Sequence, residues 1–206
     1  MRYWKMKAIV DNPKVGMVVV TYNQTASLQS LLASFKAQTW KNFLILVSHD
    51  GPATEEVKEA YKAIVGSDER FLFVETKERS NQFGHERRGA GFKTLIELGC
   101  DYVGTTNGDC WYTPNYFESM LHQMQKDDTK LAYCDMIHSH KMWQPLRVEM
   151  RRGKIDAGSW IGHRDVVSKA EWTDFGFFGD WSFIHKLHKI CDGRHSKVAG
   201  YYYVHN

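Results

Sequence analysis

No stretch of the chain reaches the ~18 consecutive apolar residues that a bilayer span requires,. The first twenty residues carry Arg2, Lys5, Lys7, Asp11 and Lys14, which leaves no uninterrupted apolar region for a secretory signal, so the expected location is cytoplasmic,. The four cysteines, Cys100, Cys110, Cys134 and Cys191, show no C-x-x-C spacing and no pattern of a small stapled domain. Free thiols in a reducing compartment are expected rather than disulfides or structural zinc. There is no internal repeat and no low-complexity tract, which excludes solenoids and linker-like segments,. A strong charge imbalance is also missing: the net charge of +3 does not by itself imply nucleic-acid binding, although it leaves room for a local basic strip,.

At 206 residues the chain fits one domain, long enough to bury about 70% of its unfolded surface and to carry a cleft. Apolar runs and helical spacing alternate along it. GMVVVT (16–21) reads as a central parallel strand covered on both faces, and a helix with Leu28, Leu31, Leu32 and Phe35 on one side follows,. FLILVS (43–48) is a second such strand, ending at His49, Asp50, Gly51 and Pro52. A helix from Thr54 to about Val65 and a strand over 71–75 complete the second round. SNQFGHERRGAG (80–91) reads as a glycine- and charge-rich loop before a helix carrying Phe92, Leu95, Ile96 and Leu98. Three rounds of strand and helix predict an α/β fold, with a mostly parallel central sheet flanked by helices. Beyond residue 114 the pattern predicts a helix with Tyr116, Met120 and Met124, then strands over 131–137, 155–161 and 200–204 and helices over 164–172 and from Asp180.

The stretch YVGTTNGDCWYTP (102–114) concentrates the chemistry. A β-branched strand stops at Asn107, Gly108 and Asp109, presenting a carboxylate at its carboxyl end, where open α/β sheets bind ligands. Hard oxygens there suit Mg²⁺ or Mn²⁺, and an ordinary turn suits the same three residues.

The order of these parts resembles family 2 glycosyltransferases, GT-A fold enzymes that use nucleotide-diphosphate sugars. The likeness is carried by VVVTYNQTASLQSLLASFKAQTWKNFLILVSHDG, by GHERRG (84–89), by NGDCWYTP, by FGDWSFIHKL and by the terminal VHN. NGDCWYTP is similar to the family's D-x-D stretch, FGDWSFIHKL to its E-D-W motif, and His205 to its terminal metal-binding histidine. Asn107 stands where the first Asp of D-x-D is usual, and Gly179 where Glu precedes the catalytic Asp.

The resemblance implies a single GT-A domain, with residues 1–14 as an extension, 15–114 as the nucleotide-binding half and 115–206 as the acceptor-binding half. It implies a metal-dependent transfer with inversion, Asp180 being the general base. The alternative for an Asp at a helix start is a cap. Asp109 and His205 would hold the divalent cation, although His205 as the penultimate residue could equally be a solvated terminus. Thr21, Tyr22, Asn23 and Asp50, together with Asn107, Gly108 and Asp109, would line the donor site, and Arg87 or Arg88 would reach the diphosphate, the other being a surface charge. Asp50 accepting an imide proton would favour a UDP-sugar, while an Asx turn with Gly51 and Pro52 is its structural alternative. Gly158, Ser159, Trp160, Gly179 and Trp181 would face the acceptor; for Trp160 a buried core position is the competing reading.

Three rivals remain. A sugar-nucleotide pyrophosphorylase needs a glycine-rich basic loop after the first strand, where this chain has TYNQTAS. A non-catalytic nucleotide- or glycan-binding module is compatible with Asn107 and Gly179. The basic segment of Arg147, Arg151, Arg152 and Lys154 beside Trp143 would allow a nucleic-acid acceptor, or be a solvated face,.

Overall fold

The computed structural model describes residues 12–206, so most of the expected 1–14 extension lies outside the described residues. The first apolar run forms β1 (Val15–Thr21), all of it buried. The same holds for β2 (Phe43–His49), as expected of strands inside a sheet. They pair in parallel from Val15 against Phe43 to Thr21 against His49. Between them α1 (Ala26–Lys36) buries Leu28, Leu31, Leu32 and Phe35 on one face. α2 (Glu55–Val65) starts on Thr54, whose hydroxyl accepts from the Val57 amide at 3.4 Å, and leads to the edge strand β3 (Phe71–Glu75).

The next helix begins earlier than its sequence suggests. α3 (His85–Glu97) takes in the GHERRG segment expected as loop, because Gly84, at φ 73°, turns the chain inward and His85, Arg88, Gly91, Phe92 and Leu95 share a buried face. A Cβ at Gly91 would stand 2.6 Å from the Val18 side chain, so the helix lies directly on β1. β4 (Tyr102–Asn107) then pairs in parallel with β1, setting Val20 beside Asn107. The carboxyl ends of β1, β2 and β4 therefore lie along one edge, where Thr21, His49 and Asn107 stand as neighbours.

The second half is mixed rather than parallel. It comprises β5 (Trp111–Tyr112), α4 (Tyr116–Asp127), β6 (Leu131–His138), β7 (Gln144–Leu146), β8 (Trp160–His163), α5 (Arg164–Val167), α6 (Gly179–Ile190) and β9 (Ser196–His205). The path through the sheet runs β3-β2-β1-β4-β8-β6-β9-β5, with β7 attached to β6. β8 is antiparallel to both β4 and β6, and β9 is parallel to β6. The strand expected over 155–161 is instead a 3₁₀ turn (Ala157–Ser159) followed by β8, and the helix expected over 164–172 stops at Val167. β9 is longer than expected. Gly200, at φ 127°, sits where the β6–β9 register shifts, and this irregularity hides the first half of the strand from a period-two reading,. No described helix is long and apolar enough to cross a membrane.

Candidate active site

The turn after β4 sits tightly against the end of β1. The Gly108 amide donates to the Val20 carbonyl at 2.8 Å, and a Cβ at Gly108 would lie 2.8 Å from Thr21 Cβ and 2.4 Å from Gln24 Oε1. Only a residue without a side chain lets the two loops approach this closely. Asp109 follows, half-buried, with one carboxylate oxygen 3.5 Å from Cys110 Sγ. The Asn107 amide oxygen accepts a hydrogen bond from Arg88 Nη2.

From Cys110 a string of contacts leads to the end of β9. Cys110 Sγ is 3.1 Å from the Tyr203 hydroxyl, which donates to Asp156 Oδ1 at 2.6 Å and lies 3.1 Å from His205 Nδ1. Asp156 Oδ2 is 3.6 Å from His205 Nδ1, and Asp156 Oδ1 accepts from the Gly158 amide at 2.9 Å. Burial alone would raise the Asp156 carboxyl, but the His205 contact and the Tyr203 and Gly158 hydrogen bonds outweigh it and hold it below its usual range. His205 is driven the other way: burial would lower it, and Asp156 raises it well above its ordinary value. His205 is thus an ordered strand residue opposite His138, not a solvated terminus.

His205 Nδ1 is held by Tyr203 and Asp156, and a carboxylate behind one ring nitrogen is the usual arrangement in a metal-bound imidazole. Among the described residues no three His, Cys, Asp or Glu side chains are grouped to hold a metal by themselves. Asp109 Oδ1 and His205 Nδ1 both approach Cys110 Sγ, at 3.5 and 3.9 Å, and Mg²⁺ is commonly held by one or two carboxylates with substrate phosphates and water completing the set.

Asp180 lies in the first turn of α6 but does not cap it. Its Oδ1 is buried with no hydrogen-bond partner, while Asp174 serves the turn instead, accepting from the Gly176 amide at 2.9 Å and from the Ser182 hydroxyl. Burial pushes the Asp180 carboxyl up to about 6, with Arg88 lowering it, Asp156 raising it and His205 lowering it. Those three charges lie near enough to Asp180 to shift it, which relates it to the β9 terminus and, through Arg88, to Asn107. Beside it, His85 Nδ1 is 3.6 Å from Asp180 Oδ1.

Neither arginine of GHERRG is a solvated surface charge. Arg88 is 2% exposed; it donates to the Phe83 carbonyl and to Asn107, and its Nε is unpartnered. The Arg87 side chain is 17% exposed and pairs with Glu86 at 2.7 Å, and its charge helps to lower Asp50. Asp50 is buried, and its carboxylate accepts from Ser80 N, Ser80 Oγ and Asn81 N at 3.0, 3.0 and 3.2 Å. Most of its capacity therefore goes to the 80–81 loop, not to the Asx turn with Gly51 and Pro52. Above it Tyr22 is open, with the Arg79 guanidinium 3.6 Å from its ring centroid. Asn23, at φ 48°, donates its amide to His49 Nε2 at 3.0 Å, and His49 Nδ1 donates to the Gly51 carbonyl at 2.8 Å, so the two loops are locked together.

The expected acceptor residues are placed differently. Trp160 is fully buried against Phe92 and Phe183, so it cannot stack on a sugar, and Ser159 is also fully buried. At Gly158 a Cβ would lie 2.4 Å from the Tyr203 ring, and its carbonyl accepts from the Tyr112 hydroxyl at 2.9 Å. These three residues support the site from behind. Trp181 is half-buried and stacks on His185 at 4.9 Å. Gly179 is enclosed: a Cβ there would stand 2.4 Å from the Asp174 carbonyl oxygen and 2.6 Å from His85 Nε2. The open aromatics near Asp180 are Phe83 (61% exposed), Phe177 (75%) and Phe178 (41%), with Arg152 4.0 Å from the Phe178 ring centroid. Phe177 and Phe178 belong to an FGFFG run (175–179), and Phe83 to the SNQFGHERRGAG segment (80–91). A cavity of about 710 Å³ between α3 and residues 167–175 contains none of the candidate carboxylates.

The sequence model of Glycosyl transferase family 2 matches residues 17–186. Among curated proteins, the Putative glycosyltransferase EpsH of Bacillus subtilis (strain 168) is 27% identical over 128 residues, 61% of this chain and 34% of that one. Glycosyltransferase GlyA of Streptococcus pneumoniae serotype 4 (strain ATCC BAA-334 / TIGR4) is 28% identical over 124 residues, 60% of this chain and 17% of that one. The chain thus spans about a third or less of these relatives. Among solved structures, S. aureus TarS 1-349 in complex with UDP-GlcNAc superposes with a TM-score of 0.76 at 13% identity, covering 93% of this chain and 58% of that one. Mannosyltransferase PcManGT from Pyrobaculum calidifontis, in complex with GDP-Man and Mn²⁺, superposes at 0.65 and 15% identity over 93% of this chain and 56% of that one. These likenesses show the GT-A fold.

Proposed function

Since the chain belongs to glycosyl transferase family 2, we propose that it moves a sugar from a nucleotide-diphosphate donor to an acceptor hydroxyl in one inverting step, with Asp180 as general base. The observation that carries this reading is the Asp180 carboxylate: buried at Oδ1, unpartnered there, raised to about 6 and facing the charges of Arg88, Asp156 and His205. A carboxyl of that strength is ionised at neutral pH and still basic enough to take a proton during attack. The acceptor O–H bond breaks as its oxygen bonds to the anomeric carbon, and the proton passes to Asp180. The bond from that carbon to the diphosphate breaks, its electron pair leaving on the diphosphate.

The base and ribose lie over Tyr22, Asn23 and Asp50, with Thr21 and Gly108 forming the floor. A UDP-sugar is the favoured donor, because Asp50 Oδ2 accepts one amide and keeps a lone pair for an imide proton,. TarS 1-349 is in complex with UDP-GlcNAc and PcManGT with GDP-Man and Mn²⁺. A divalent cation, when bound at Asp109 and His205, supplies charge neutralisation of the departing diphosphate. Arg88 holds Asn107 and adds a fixed positive charge beneath the phosphates. The acceptor enters across Phe83, Phe177 and Phe178, whose open rings suit the apolar face of a sugar.

The test is release of nucleoside diphosphate from a panel of nucleotide sugars, with Mn²⁺ or EDTA and with glycan, lipid-linked and nucleic-acid acceptors. Metal-dependent release that Asp180→Asn abolishes is the expected result. Donor binding without release from any acceptor or water would favour the non-catalytic module.

A further inference from the structure

Resting on that reading of Asp180, we propose that His85 is its positioning residue: a neutral imidazole, held by the Gly176 carbonyl, that turns its bare Nδ1 toward Asp180 Oδ1 and accepts a hydrogen bond from the carboxyl O–H once Asp180 is protonated. The tautomer follows from the hydrogen bonds. His85 Nε2 is 3.0 Å from the Gly176 carbonyl oxygen, which can only accept, so Nε2 carries the proton and Nδ1 a lone pair,. Arg88 Nη1 approaches the same Nδ1 at 3.5 Å, a donor that a protonated Nδ1 would repel.

The ring is fixed in place on three sides, the first being the Gly176 carbonyl at Nε2. It is 2% exposed and stacks on Trp172 at 5.0 Å with 22° between planes. The third side is Gly179, where any Cβ would lie 2.6 Å from Nε2 and 2.7 Å from Cδ2. The glycine just before the base therefore admits the histidine: a side chain at 179 and the imidazole of His85 cannot share that volume.

The consequence for Asp180 is a difference between its two states. When it is ionised, Oδ1 and Nδ1 set lone pairs against each other at 3.6 Å, and the carboxylate gains nothing from the contact. When it is protonated, an O–H···N hydrogen bond closes the gap. The exposed part of the Asp180 side chain lies away from the buried Oδ1, so the acceptor's proton arrives at Oδ2. A half-turn about Cβ–Cγ then brings the O–H against Nδ1. The proton stays on Asp180 and does not pass to His85. Burial and the Arg88 charge hold His85 down to about 4, against the raising effects of Gly176 and Asp174, whereas Asp180 is raised to about 6. Arg88, Asp156 and His205 act on Asp180 as well; the Arg88 guanidinium has no lone pair to offer, and the Asp156 oxygens are engaged by Gly158, Tyr203 and His205.

Two measurements test this without relying on turnover. In the wild-type protein, ¹⁵N NMR should find His85 Nδ1 unprotonated at neutral pH, its shift moving with the same midpoint as the Asp180 carboxyl. In His85→Gln, which keeps a donor to Gly176 but has no acceptor at the Nδ1 position, the Asp180 midpoint read from its ¹³C carboxyl shift should fall by about one pH unit. His85→Asn, whose amide oxygen can stand near Nδ1, should restore part of the shift. In the assay above, His85→Gln should lower kcat by about 10-fold with donor KM unchanged. A protonated Nδ1, or an Asp180 midpoint that does not move in folded His85→Gln, overturns the proposal. Failure of wild-type protein to release nucleoside diphosphate would instead count against the transferase reading, leaving the NMR result to decide the pairing. Should His85→Gln not fold, the wild-type tautomer and shared midpoint decide it.

Discussion

A carboxylate raised in the folded state carries a stability cost as well as a reactivity. Asp180 is raised from 3.8 to about 6, so between those values the folded chain binds more protons than the unfolded one. Its contribution is favourable at low pH and is lost as pH rises through about 6. At pH 7.5 the ionised group therefore costs about 1–3 kcal/mol. Asp180→Asn removes that charge and should raise the melting temperature at pH 7.5 by several degrees while lowering turnover at least ~10²-fold. The stability difference should shrink toward pH 4. Thermal melts across that range check the sign: a melting gain that does not shrink at low pH would mean that charge burial is not its cause. The rate of the wild-type enzyme should likewise fall below about pH 6.

At this scale the sequence was informative about carboxylates and uninformative about burial. Asp109 and Asp180 could be picked out by their neighbours, because NGD and FGDW are local patterns. Asp156 could not: its importance comes from Tyr203 and His205, 47 and 49 positions downstream. Trp160 and Gly158 were expected at a sugar because glycine and tryptophan serve both surfaces and cores, and only three-dimensional packing separates the two uses.

At the scale of elements, β9 carries the site from one side and α3 from the other. Tyr203 packs its ring over Gly158 and Tyr112 while its hydroxyl joins Asp156, His205 and Cys110. Tyr203→Phe keeps the ring and removes the hydroxyl, leaving a buried carboxylate short of one donor. We expect a loss of about 1–3 kcal/mol in denaturant unfolding and an increase of about 10-fold or more in the Mn²⁺ concentration needed for half-maximal donor binding. An unchanged metal requirement would detach β9 from the cation. On α3, Arg88→Met removes the hydrogen bond to the Asn107 amide oxygen and, on the proposed reading, a positive charge near the donor's phosphates. Donor affinity in isothermal titration should fall by about 10- to 100-fold, without loss of the metal requirement. The early start of α3 escaped a reading by periodicity, since His85, Glu86, Arg87 and Arg88 form a polar run. The buried face shows only when His85 and Arg88, three apart, are seen beneath Trp172 and beside Asn107.

For the whole molecule, the parallel half was legible and the mixed half was not. Continuous apolar strands with helices between them leave few alternatives to a parallel arrangement of β1 to β4. Beyond residue 114 the antiparallel insertion of β8 between β4 and β6 depends on long-range pairing that no local pattern encodes. Yet this insertion brings the 156–160 segment across the open edge, and thereby sets Asp156 behind His205 and opposite Asp180. On the proposed reading a donor would bridge the two parts of the sheet, its base over the ends of β1 and β2 and its diphosphate toward β9. Binding should then stabilise the fold as a unit. At a donor concentration about 100 times Kd, mass action adds about 2.7 kcal/mol, which for a chain of this size is a melting shift of roughly 5–10 °C. With Mn²⁺ present a UDP-sugar should give this full shift. In EDTA, or in Asp109→Ala, only the smaller shift due to the nucleoside contacts at Tyr22, Asn23 and Asp50 should remain. Equal shifts with and without metal in the wild type would mean that the diphosphate rests on Arg87 and Arg88 alone, and that Asp109 and His205 serve the fold rather than a cation.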